Sequence, residues 1–298
     1  MRSFFDKAVP GIFVLLWSTG FIGSKLGAPH IEPFVFLTIR FALVLPVMLA
    51  LAVMLRATWP RRGTDWAHCF VAGMLIHGVY LGGIFYAIDN GMPAGVTALF
   101  LGLQPLLTAL LAGPVLGESV APRHWLGLAV GALGLLLVVV PRLAGAETAG
   151  FSTVNVLACL AAAAGIAVGT IYQKRFVVGI DLIPGTLVQY FGALALVMPL
   201  SMLEDWQIAW TGELVVAMTW LVLVLSIGAI LLLMVLIKRG SASRVSSLFY
   251  LAPVATAVEG YLLFGETLSL VQVAGAALVI GALLIIRERR IGTRRTPA

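Results

Sequence analysis

Apolar stretches of about 20 residues follow one another along almost the whole chain, broken by short segments rich in glycine, proline and charge. Crossing about 30 Å of hydrocarbon takes about 20 apolar helical residues. The pattern predicts ten such helices, at 8–24, 33–55, 67–89, 94–116, 124–141, 153–173, 182–203, 214–237, 245–264 and 269–286. Composition agrees: of 298 residues 61% are hydrophobic and 11% are charged, against about 25% charged in soluble domains. The chain reads as an all-α membrane protein. No loop is long enough for a soluble domain. The first apolar run lacks a small-residue cleavage site, so it is expected to be retained as a span.

A second periodicity lies over the first. LFLGLQPLLTALLAGPVLGES from Leu99 and LFYLAPVATAVEGYLLFGET from Leu248 align at an offset of 148, pairing Pro105 with Pro253, Thr108 with Thr256, Gly117 with Gly265 and Glu118 with Glu266. The first spans of each half align at 149, pairing Gly20 with Gly169, Ile22 with Ile171 and Lys25 with Lys174. One duplication of ten spans leaves five per half, and an odd number turns the second half upside down in the bilayer. Two inverted halves give two packings of similar energy, one open to each side, around a central cavity. The expected division is a first repeat at 1–141, a linker at 142–152 (RLAGAETAGFS) and a second repeat at 153–298 with a basic tail.

Charge fixes the orientation. With both termini inside, 16 of the 19 Lys and Arg fall in cytoplasmic segments, two (Lys25 and Arg142) fall outside, and Arg40 lies within a span. This is the positive-inside bias. The net charge of +6 is thus a topology signal and calls for no nucleic-acid partner. Cys69 and Cys159 sit in or beside spans, with no disulfide framework or metal-ligand neighbours.

WSTGFIGSKLGAPHIEPFVFLTIRF (Trp17 to Phe41), the Pro105 region ending at Gly117-Glu118, and its Pro253-to-Glu266 counterpart resemble the EamA family of the drug/metabolite transporter superfamily. The size and layout are similar to bacterial amino-acid exporters of the YddG type. The resemblance implies a bacterial inner-membrane protein of ten helices, with a cavity formed mainly by spans 1, 3, 4, 6, 8 and 9. It also implies export of small metabolites.

Polar groups at membrane depth are costly, so each needs a reason. His77, Gln104 and Trp17 all fall near the predicted midplane. There they either bind a solute, by hydrogen bond and stacking, or satisfy one another across a helix contact; the resemblance favours the cavity. Tyr250 offers a ring or hydroxyl contact, or simply packs. Tyr172 and Gln173 close span 6, as an inner gate or, for Tyr172, as an interfacial anchor. Pro105 and Pro253 are expected inside spans 4 and 9, as hinges that free the carbonyls of Leu101 and Phe249. Arg40 and Glu259, of opposite sign, lie roughly 10 Å from the outer surface at 1.5 Å per residue and either pair or are satisfied separately. Gly23/Gly27, Gly91/Gly95, Gly127/Gly131 and Gly165/Gly169 have the spacing of close helix contacts.

The four histidines are scattered without metal-ligand spacing, and no nucleophile elbow or carboxylate dyad appears; neither enzyme activity nor a cofactor is expected. The deep cations are limited to Arg40, on a span expected to be peripheral, so phosphorylated solutes are disfavoured. Span 1 carries Trp17, Ser18 and Thr19 where a cation exporter of the same superfamily would carry an acid. The expected cargo is therefore neutral or zwitterionic, an amino acid foremost. Amphipathic drugs or other metabolites are the alternative cargo; a lipid-handling or scaffold protein is the alternative class. One chain holds both halves, so a monomer suffices geometrically.

Overall fold

The computed structural model describes residues 2–92, 97, 100–144, 152–239, 245, 248–264 and 270–286. Among them every regular element is a helix: α1 (Arg2–Gly27), α2 (Pro33–Met54), α3 (Gly63–Gly73), α4 (Tyr80–Asp89), α5 (Gln104–Leu116), α6 (Pro122–Ala144), α7 (Thr153–Phe176), α8 (Leu182–Ser201), α9 (Gly212–Trp220), α10 (Ile230–Arg239), α11 (Leu251–Phe264) and α12 (Leu270–Ile286). Helices keep all backbone hydrogen bonds within the segment, which hydrocarbon requires. Six helical runs among the described residues are long and apolar enough to cross a membrane: Ala8–His30, Pro33–Met54, Gly63–Asp89, Thr153–Phe176, Leu182–Ser201 and Gly212–Arg239. Glu266, Gly265, Gly95, most of the expected linker and the basic tail lie outside the described residues.

The runs Gly63–Asp89 and Gly212–Arg239 are each interrupted by a π-helical stretch, π1 (Met74–Val79) and π2 (Leu221–Ala229). Shifting π1 by 148 gives 222–227, inside π2. Packing follows the same correspondence. α2 lies on α8, and α6 lies on α12. α1 packs on π2 and α11, while α7 packs on π1 and α5. Close approach is built with glycine: a Cβ on Gly73 would lie 1.9 Å from the Gln189 carbonyl oxygen, and one on Gly192 would lie 2.1 Å from that of Phe70. α3 and α8 therefore touch backbone to backbone. Gly23 faces Leu221 of π2, and Gly169 faces Leu75 and Ile76 of π1.

The loops also correspond. Glu32, just before α2, accepts from the backbone N–H of Asp205 at 3.0 Å and Gln207 at 3.4 Å. Asp181, 149 residues on and just before α8, accepts from Thr58 N–H at 3.2 Å. Arg56 and Trp206, in the two gripped loops, have φ of 49° and 56°. At the first of these bundle ends Glu204 returns the grip, accepting from Phe34 and Val35 N–H at 3.1 and 2.7 Å. At the other end Gly117 closes α5 in the left-handed region, with φ 68°, and Glu118 meets Lys174 at 3.3 Å. The Gly-Glu pair thus has a local cause: glycine ends the helix and the acid ties it to α7.

Pro105 and Pro253 do not interrupt running helices. The chain turns at Gly102 and Leu103, and Pro105 falls in the first turn of α5. A 3₁₀ turn at Leu248–Tyr250 precedes α11, of which Pro253 is the third residue. A first-turn N–H has no intrahelical partner, so proline there starts a helix at no hydrogen-bond cost. The irregular backbone lies before each proline and not at it.

Candidate functional site

π1 and π2 set the site. An extra residue per turn rotates the downstream face and is common where function needs an irregular helix. His77 sits in π1, fully buried, with its ring stacked on Tyr190 of α8 at 4.7 Å and 17°. Its Nε2 lies 3.3 Å from Gln189 Oε1, and Gln189 Nε2 donates to Gln173 Oε1 at 2.9 Å. The consistent tautomer carries the proton on Nε2 and leaves Nδ1 an acceptor with no partner among the described residues.

This chain of three polar side chains joins two cavities. The first, about 40 Å³, is lined by Trp17, Ser24, Arg40, His77, Tyr80 and Phe85 among others, and extends from His77 toward the Glu32 end. The second, about 250 Å³, is lined by Gln173, Lys174, Asp181, Gly185, Gln189 and Lys238 among others, toward the Lys174 end. Its counterpart at the Glu32 end, lined by Ser24, Ala28, Ile31, Phe36, Phe85 and Asp89, measures about 10 Å³. Phe36 stands where the other half has Gly185, 149 residues on, and stacks on Phe85 at 5.3 Å. The Phe36 and Phe85 rings fill this cleft where Gly185 leaves room in the other.

Of the residues expected to bind solute, Trp17 and His77 meet in the first cavity. Trp17 stacks on Tyr80 at 6.0 Å and meets Phe249 edge-on at 5.1 Å. Gln104 is buried on α5 and donates to Thr108 at 3.4 Å; it does not bond His77, whose Nε2 faces Gln189. Tyr250 faces away: its hydroxyl donates to the Leu128 carbonyl at 3.3 Å and its ring lies against Gly131 of α6. Tyr172 is 2.8 Å from His68 Nδ1 and packs on Phe176, apart from both cavities. Arg40 and Glu259 do not pair. Arg40 Nε donates to Ser226 Oγ at 2.9 Å, and Glu259 Oε1 accepts from Ser18 at 2.5 Å. Nor is Arg40 peripheral, since it lines the first cavity.

The EamA-like transporter family profile matches residues 12–140 and again 153–287. The chain belongs to this family. It is a multi-pass membrane protein of a transporter family, not of an enzyme family. It is 27% identical to a probable amino-acid metabolite efflux pump of Salmonella typhimurium, over 92% of each chain. It is 26% identical to the uncharacterized transporter YvbV of Bacillus subtilis, over 93% of this chain and 89% of that one. A crystal structure superposes with a TM-score of 0.77 at 22% identity, covering 93% of this chain and 94% of the other, a likeness of fold.

Gln189, Tyr190, Tyr80 and Ser226 belong to this candidate site and carry no charge that would single them out along the chain, whereas Gln173, expected at an inner gate, ends the polar bridge instead. One signal was present: Gln189 is Arg40 shifted by 149, so each bridging position has a polar partner in the other half.

Proposed function

We propose that this protein is a ten-helix carrier of the bacterial inner membrane, with both termini cytoplasmic, that exports amino acids or related small metabolites by alternating access between two inverted five-helix halves. The observation carrying this reading is the His77–Gln189–Gln173 bridge between one cavity at each end of the bundle. A buried bridge of three polar side chains between two cavities is the kind of barrier a carrier needs to hold one side shut. The recurrence of π segments and loop grips at 148–150 residues supports two halves that can exchange roles. The likeness to the Salmonella relative, a probable amino-acid metabolite efflux pump, supports the cargo. His77 and Trp17 contact the solute, and one chain is sufficient.

The test is counterflow of labelled amino acids in proteoliposomes. Wild type accumulates label, His77→Ala loses at least about tenfold of the rate, and Gln189→Leu loses control of it. Accumulation no greater than in protein-free liposomes, across the amino acids, overturns the reading.

A further inference from the structure

Arg40 is an anomaly that the transport reading leaves unexplained. It is 4% exposed and lies on α2, within a membrane-length helix. Its Nε reaches Ser226 of π2. Among the described residues no other group hydrogen-bonds it and no carboxylate pairs with it; Glu259 is engaged with Ser18. A guanidinium has five N–H donors, and this one is held through a single neutral hydroxyl. A buried cation without a counter-charge is costly in a protein interior and more so in a bilayer.

The other half shows that the charge is not needed for architecture. Gln189, at the matching position, joins α8 to π1 through His77 as Arg40 joins α2 to π2 through Ser226. A neutral amide performs that bridging task and closes its own bonds through Gln173. The charge at 40 therefore serves something the cavity receives. Arg40 is also held in aim: Ser226 accepts Arg40 on its hydroxyl and Tyr190 on its carbonyl, and Tyr190 stacks on His77 and meets Phe41 at a tilt. The named lining offers one full cation and no acid, with Trp17 and Tyr80 stacked as an aromatic wall.

We propose that Arg40 is the carboxylate anchor of the first cavity, so that the solute is a small organic carboxylate with an apolar or aromatic body. The carboxylate lies on the guanidinium, bidentate where the free N–H groups allow, and the body lies against Trp17 and Tyr80. Zwitterionic amino acids fit; amines without a carboxylate do not. At about 40 Å³ the cavity has on the order of three water-sized sites, enough for the anionic head. The body enters the space that opens as the helices part. This assignment rests on the transport reading and names the charge of its cargo.

Full-length protein in detergent is titrated with sets sharing one body: phenylalanine, 3-phenylpropanoate (carboxylate without amine) and phenylalaninamide (amine without carboxylate), then the matching leucine set. Binding is read as a concentration-dependent rise in melting temperature. Both carboxylates of a set bind at least about tenfold more tightly than the amide. Arg40→Gln abolishes that preference and leaves amide binding unchanged, and Arg40→Lys, which keeps the charge without the fork, retains part of it. An amide binding as well as its carboxylates, no carboxylate binding, or a carboxylate preference kept in Arg40→Gln overturns the proposal. Should Arg40→Gln not fold, Arg40→Lys and the wild-type ranking decide. Counterflow run in parallel separates the two claims: carboxylate-selective binding without counterflow removes the carrier and keeps the anchor. Counterflow in which the amide competes equally does the reverse.

Discussion

Gly73 has no room for a side chain, because the Gln189 backbone occupies the place a Cβ would take. Gly73→Ala forces α3 away from α8 and disturbs the helix that presents both Gln189 and Tyr190 to His77. The expected loss is at least about 1–3 kcal/mol, read as a lower melting temperature in detergent. Gly63→Ala, with nothing within 4 Å, leaves it unchanged. At the membrane edge, burial pushes the Glu204 carboxyl above its ordinary range. The N–H groups of Phe34 and Val35 pull it back, and Glu32 and Asp89 push it further up. A raised folded-state pKa means the folded protein holds the proton more tightly. This contribution is full below the ordinary carboxyl pKa and fades as pH rises through the raised one. Wild-type melting temperature should therefore climb on acidification from pH 7 toward about 5, and Glu204→Gln should flatten that climb. A Glu204→Gln profile as steep as wild type would remove Glu204 as its source.

Elements meet through a few polar ties across apolar surfaces. Ser226 links α2 to π2 through Arg40, so Ser226→Ala leaves the guanidinium with no acceptor among the described residues and is expected to cost about 1.5–3 kcal/mol. A melting temperature unchanged in Ser226→Ala would mean solvent already satisfies the cation. Gly117 ends α5 at φ 68° with nothing within 4 Å of its missing Cβ. Gly117→Ala is thus a purely conformational change, expected to cost about 1 kcal/mol and to misdirect Glu118 from Lys174. The prolines were legible as residues but not as mechanics. Position in the sequence put Pro105 and Pro253 inside spans, and the turns before them put both at helix starts, where their missing N–H is harmless.

At the scale of the molecule the loop grips are the two-ended feature: Glu32 on the 205–207 loop at one end, Asp181 on Thr58 at the other. The proposed orientation puts the first outside and the second in the cytoplasm. Single cysteines at Gln207 and at Gly179, with Cys69 and Cys159 replaced, should react with an impermeant maleimide in opposite ways. Gln207 labels in intact cells, and Gly179 labels only after permeabilisation. Labelling of both from one side would end the inverted arrangement.

Periodicity and composition alone determined that the chain is helical and membrane-embedded, and that its halves resemble each other, because hydrocarbon leaves a backbone few alternatives and the apolar runs record them. The same reasoning singled out His77 and Trp17, which line the first cavity, since polar or bulky groups at the midplane stand out along a line. It could not tell that His77 bonds Gln189 rather than Gln104, that Tyr250 turns toward Leu128, or that Arg40 faces the cavity and not Glu259. Depth is a one-dimensional quantity that a sequence carries. Which way a side chain points around the helix depends on π1, π2 and the glycine contacts, and those exist only when the helices pack.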